Sequence, residues 1–391
     1  MTLYQQAAES LRLQRGNTRR LAAEAVVAEP QSAPAQLLQA TILASSRDVR
    51  DFENAGWAYA RLRTLDPGNP HLRALAAVLD GDLVGAVGVY DAIQDDLLAL
   101  WAAQLLDYYQ GNALAQRDRS ARALARSSAS MPGHHALLSL HAFALHECGD
   151  YSAAEDNARR ALELEPRDMR AQHAMLHVFE MRGQPAHGVR WAAARSAQWE
   201  SHHMWWHLAL FMLALRRPHG ALTIYDLRLQ DESVAGMIDA SALLWRLHLA
   251  RVEVGERFAA LAERWSDRAE DAFCAFNDLH AMMAFVGAER WDLARRLLRA
   301  QERRLMRLSG ANHDMTRLVG YPASRALAAF GRGDYSTAEA LLRALPPVAH
   351  RVGGSHAQRD VLQLTQAAAA ARARAKGHTH AFALPQRLAA A

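Results

Sequence analysis

The segment 135–168, HALLSLHAFALHECGDYSAAEDNARRALELEPRD, leaves a chain like this few ways to fold. Its apolar residues recur at helical spacing on both sides of Gly149-Asp150-Tyr151, and Pro166 stops the second run. Two helices joined by so short a turn form a hairpin. Ala154 and Ala161 are small enough to let the two helices approach closely, while Tyr151 plugs the hairpin end. A unit of 34 residues cannot bury its apolar face alone, so it needs neighbours of its own kind.

Small residues at fixed positions, an aromatic after the turn and a closing proline resemble a tetratricopeptide repeat. Weaker copies flank the clear one. Residues 54–69 read as the second helix of a repeat, closed by Asp66-Pro67-Gly68. Hairpins are expected over 97–127, turning at Gly111, over 169–199, turning at Gly183, and over 202–228, turning at Arg217-Pro218. Others are expected over 241–265 near Gly255, over 273–304 at Gly287, and over 315–345 at the string Gly331 to Tyr335. A last helix is expected over about 356–375, and the stretch 29–34 (EPQSAP) reads as a short inter-helix loop. No segment shows a sustained period of two with β-branched enrichment, so no sheet is expected. The spacing predicts an all-α, tetratricopeptide-like helical-hairpin solenoid of about seven hairpins. It forms one domain over 1–377, with a closing C-terminal helix and a flexible tail over 378–391.

Composition removes several classes of function. With 391 residues, 51% of them apolar, the core is ample without a disulfide or metal. Cys148 and Cys274 have no CxxC spacing, which excludes a disulfide framework or a cysteine-based zinc finger. The N-terminal twenty residues carry charge throughout and lack the apolar run of a signal peptide. The apolar stretch around 204–215 contains His207 and is too short to span a bilayer. A cytoplasmic protein without membrane contact is expected. The net charge of +4 is not gathered into a basic block; arginines alternate with acids, as on a solvated helix face, so no nucleic acid is expected. Lys376 is the only lysine and lies in an Ala/Arg tail, which argues against a Schiff-base or P-loop lysine. No nucleotide-binding loop, GxSxG elbow or Cys–His pairing is present.

The histidines carry the functional signal. Most of the 19 lie between 134 and 356. The first helix of each tetratricopeptide hairpin lines the concave side. Aligned by their turns, successive first helices bring inward His146, then His173 and His177 with Glu180, then His203 and Trp206 beside His207, then Trp245 and His248, then Asn277 and His280. His173, His177 and Glu180 at i, i+4, i+7 share one helix stripe. His173–His177 and His203–His207 are two i, i+4 pairs, the spacing with which one helix offers two imidazoles to a metal. The glutamate that follows the first histidine in the HExxH helix is absent here. Two such pairs with a carboxylate suit Zn²⁺ or Fe²⁺. They equally suit an organic ligand, acid–base work, or a hydrogen-bonded wall of a narrow superhelix. In HHMWWH (202–207), Trp205 is expected in the core and Trp206 on the groove wall.

Gly353-Gly354-Ser355 precedes the last helix. Ser355 and Gln358 read as a capping box, while glycines at a helix start also suit an anion. Arg359 and Asp360 lie in its first two turns. Because a superhelix of seven or eight hairpins completes a turn, this segment is expected to close the groove with its polar groups toward the histidines. The sequence-adjacent pairs His313–Asp314 and Asp278–His280 carry little weight, since neighbours on a helix point different ways.

The strings HAMLHVFEM (173–181), WWHLAL (205–210), Tyr225-Asp226, SALLWRLHL (241–249), FNDLHAMMAF (276–285) and GGSHAQRD (353–360) occur in one order. Together they resemble the tetratricopeptide repeat protein 38 family over about residues 50–370. The resemblance implies a tetratricopeptide-like array and brings no settled activity. It draws attention to His173, His177, Glu180, Trp206, His207, His248, Asp278, His280, Ser355, Gln358, Arg359 and Asp360. The leading expectation is a protein that binds a small molecule or peptide end in a His/Trp-lined pocket, with His146, His203, Trp206, His248, Asp278, His280, Ser355, Arg359 and Asp360 as ligand-binding candidates. An enzyme using His173, His177, Glu180 and His207 as acid–base groups, with a divalent metal on His173, His177 and His207, is the alternative. A scaffold for a partner protein is the third, and a homo-oligomer is compatible with each.

Overall fold

The computed structural model describes residues 1–306 and 310–382, with side chains through Ala375. Among the described residues every regular element is helical, and helices pack in neighbouring pairs. The repeat at the centre forms as its sequence dictates: His134–Glu147 packs on Tyr151–Leu164. The Asp150 carboxylate accepts from the Ala153 N–H at 3.1 Å and so caps the second helix. Ala142, Ala154, Ala158 and Ala161 are fully buried along it.

Downstream, Met169–Met181 precedes Pro185–Arg195, His202–Ala214 precedes Pro218–Arg228, and Val234–Leu249 precedes Arg257–Ser266. Ala275–Gly287 with Trp291–Leu305 and Tyr321–Gly331 with Tyr335–Arg343 complete the expected hairpins. A π-helical turn, Thr316–Gly320, leads into the last pair. The count of about seven hairpins is too low. Three pairs precede residue 97: Leu3–Leu13 with Thr18–Ala28, Ala33–Ala44 with Val49–Leu65, and His71–Leu79 with Leu83–Ala92. The final helix also runs farther than expected, His356–Phe382, through Gly377. Residues 383–391 of the expected tail lie outside the described residues.

Units that touch only their neighbours would make an open row. Here the first quarter of the chain lies against the last third. Arg268 forms a two-pronged ion pair with Asp48, both contacts at 2.8 Å. Asn277 donates to the Arg47 carbonyl at 2.7 Å, and the Ala311 N–H donates to the Gly81 carbonyl at 3.3 Å. The Tyr108 hydroxyl donates to Gln358 at 2.7 Å. Two glycines permit this approach. A Cβ on Gly111 (φ +72°) would stand 2.1 Å from the His350 carbonyl oxygen, and one on Gly353 (φ +75°) 2.6 Å from the Tyr109 carbonyl oxygen.

Candidate functional site

The two i, i+4 histidine pairs sit on adjacent first helices, His173 and His177 on Met169–Met181, His203 and His207 on His202–Ala214. One side-chain nitrogen from each of the four lies within 4.8 Å of the other three. His173 Nε2 and His207 Nε2 are 3.1 Å apart, and the His177 and His207 rings are 4.4 Å apart between centroids. His146 joins from the preceding first helix, its ring 4.3 Å from that of His177. The two histidine pairs meet because a stripe on one first helix faces the same stripe on the next.

Two carboxylates orient the imidazoles. Glu180 Oε2 lies 2.9 Å from His207 Nδ1, and both Asp239 oxygens lie 2.9 Å from His203 Nδ1. Each carboxylate takes the Nδ1–H and leaves Nε2 for another partner. His177 is different: it is fully buried and neither of its ring nitrogens has a hydrogen-bond partner. An unpartnered buried polar group costs about 1–3 kcal/mol.

Burial, and then the neighbouring imidazoles, hold His173, His177 and His207 well below the ordinary histidine range. His203 moves the other way: burial pulls it down, but the Asp239 carboxylate more than offsets that and raises it. Glu180 is pushed up to about 7 by burial. The cluster thus pairs neutral imidazoles with a carboxyl able to exchange a proton near neutral pH.

The cluster forms part of the wall of a cavity of about 1140 Å³. First helices supply most of that wall: Trp101, Tyr108, Phe143, Arg170, His173, His203, Ile238 and Phe276 all line it, with Gln358 from the last helix. His173 and His203 face the cavity, while His177 and His207 are fully buried behind them. Phe143 stacks on His173 at 5.7 Å and meets Tyr108 edge-on at 5.6 Å, making one aromatic wall.

The remaining candidates divide. Trp206 is fully buried, stacked on His203 at 5.2 Å, whereas Trp205 is the more exposed of the pair, beneath the Arg228 guanidinium. Trp206 therefore belongs to the core and not to the groove wall, while Trp205 packs half-buried at the edge of the core and does not line the cavity either. His248 packs among Trp245, Phe258 and Phe330, away from the histidine cluster. Asp278 is buried against Gln301, which donates to it at 3.2 Å, and burial pushes it up to about 7. His280 bonds the Phe276 carbonyl at 2.7 Å and is pushed down to about 4 by burial.

Ser355 makes half of the expected capping box. Its N–H donates to Gln358 at 3.1 Å, but its hydroxyl has no partner. Arg359 and Asp360 do not pair with each other. Arg359 donates to Glu147 at 3.2 Å and to the Gly354 carbonyl, and Arg246 donates to Asp360. Glu147 is also 3.4 Å from His146, so the last helix is tied to the edge of the cluster. Asp239, Glu147, Phe143 and Arg246 were not anticipated. One signal was available for Asp239, which follows His203 by 36 residues, close to the repeat length. No known protein-family model matches the chain.

Proposed function

We propose that the chain is a tetratricopeptide-type solenoid of the tetratricopeptide repeat protein 38 kind, a cytoplasmic protein that binds a small molecule in its central cavity. The cavity carries this reading. Its volume of about 1140 Å³ lies just above the range of about 300–1,000 Å³ usual for small-ligand sites, and its wall sets aromatic faces among many polar and charged side chains. The ties between the first quarter and the last third of the chain favour an enclosed ligand over an extended peptide. Trp101 and Phe143 suit a flat or apolar portion, and Arg170 with His203 suits a polar end. An enzyme is the second reading. Glu180, at about 7 and hydrogen-bonded to His207, supports acid–base work on a molecule held at His173.

The test is a thermal-shift screen of small polar metabolites, followed by calorimetry on the hits. A ligand at one hundred times its Kd is expected to stabilise the fold by about 2.7 kcal/mol. Leu105 also lines the cavity, so Leu105→Trp, which fills part of it, should abolish that stabilisation, and Trp101→Ala should weaken binding about tenfold or more. Equal stabilisation of the wild type and both variants would place the ligand elsewhere and sink the reading.

A further inference from the structure

Four imidazoles whose nitrogens converge on one point need a reason. In hydrogen-bond terms the arrangement is poor. His173 and His207 meet nitrogen to nitrogen, so only one of the two can hold the proton between them. His177 offers two nitrogens to nothing within reach. A cation at the centre satisfies all four rings at once. Metal–nitrogen bonds of 2.0–2.1 Å put two nitrogens about 3.3 Å apart at tetrahedral angles and about 4.2 Å apart across an octahedron. The 3.1 Å and 4.8 Å separations here bracket those values, so small side-chain movements suffice.

The charges also agree. Glu180 and Asp239 hold the Nδ1 atoms of His207 and His203, the hydrogen bond that orients metal-ligating histidines. Four neutral imidazoles, two carboxylates and one divalent cation sum to zero in a buried site. Two arginines act on the cluster: Arg246 is already paired with Asp360, and Arg170 donates to the Leu11 and Arg12 carbonyls.

From this we propose that His173, His177, His203 and His207 form a mononuclear site for a divalent transition metal, with Glu180 and Asp239 as its supporting carboxylates. Imidazole donors select Zn²⁺, Fe²⁺, Ni²⁺ or Cu²⁺, whereas Mg²⁺ and Ca²⁺ prefer oxygen. His177 and His207 close the site from behind. His173 and His203 stand at the cavity wall, so a free coordination position would face the cavity. The site does not depend on which molecule the cavity binds.

The experiment uses the full chain, stripped with a chelator and titrated with Co²⁺, followed by its visible d–d absorption, and then with Zn²⁺ in competition. One equivalent per chain is expected, displaced by Zn²⁺ and unaffected by equal Mg²⁺ or Ca²⁺. His177→Gln and His203→Gln should each weaken Co²⁺ binding by more than about 100-fold, and Asp239→Asn by about 10–100-fold. His248→Ala, outside the cluster, should bind as the wild type does. The variant His203→Gln sits at the cavity wall and keeps the test open if His177→Gln fails to fold. No saturable Co²⁺ uptake by folded wild type would overturn the proposal, as would undiminished uptake in the folded histidine variants. Leu105→Trp should still bind Co²⁺, which separates failure of the metal site from failure of the cavity reading.

Discussion

Asp278 shows at the residue scale how burial sets chemistry. Its carboxyl is raised to about 7 and shares one hydrogen bond with Gln301. Between the ordinary aspartate value of about 3.9 and 7 the folded state keeps a proton that the unfolded chain has released. Stability from this group is therefore fully present below about pH 4 and lost as pH rises through 7. Asp278→Asn keeps an acceptor for Gln301 and removes the charge. It should gain about 1–3 kcal/mol over wild type at pH 8 and nothing at pH 4, read from urea midpoints across that range. The lowered histidines act oppositely. His173, His177 and His207 favour the fold above the ordinary imidazole value of about 6.5, and that contribution is lost as pH falls below it. Both histidine pairs were legible as i, i+4 spacings. The roles of Glu180 and Asp239 as their hydrogen-bond partners were not, because each bond crosses from one hairpin to the next.

Among the elements, the hairpin His134–Glu147 with Tyr151–Leu164 depends on small residues at the contact. Ala154 has no exposed surface and packs with Leu145 and Val178, so it also meets the following first helix. A larger side chain has nowhere to go in so dense a contact. Ala154→Leu should destabilise by about 1–3 kcal/mol in chemical denaturation with helix content retained, whereas unchanged stability would contradict this packing. The tryptophans show the limit of reading elements from sequence. Adjacent positions on a helix differ by about 100° in direction. Which of Trp205 and Trp206 turns inward depends on how the whole helix is rotated against its neighbours. Its apolar residues surround His202–Ala214 too evenly to set that rotation.

For the whole molecule, the decisive contact is Arg268 with Asp48, two largely buried side chains joining distant parts of the chain. Removing one partner strands the other charge. Both side chains also line the cavity, where water reaches them, so Arg268→Ala should cost about 1.5–3 kcal/mol, with Asp48→Ala similar and the double variant less than the sum. Hydrogen exchange should then speed in Ala33–Ala44 and Val49–Leu65 before the central hairpins, since the closing contact holds those helices. Uniform loss of protection along the chain would argue that the ends do not open separately.

The sequence by itself determined the helical class, the hairpin period and the two histidine stripes, because those are local: turn residues, apolar spacing and i, i+4 geometry act within one or two helices. It also predicted that the segment at Ser355 returns toward the middle of the array, and Arg359 does reach Glu147. Before residue 97 it predicted only the helix ending at Asp66-Pro67-Gly68, observed as Val49–Leu65, and missed the other helices of the three hairpins there, whose turn signals are weak. Nor did it determine the Arg268–Asp48 tie, the partners of Arg359 and Asp360, or which histidine loses its hydrogen bonds. Those depend on how small rotations between successive hairpins add up over the length of the chain, and only the tertiary structure fixes that sum.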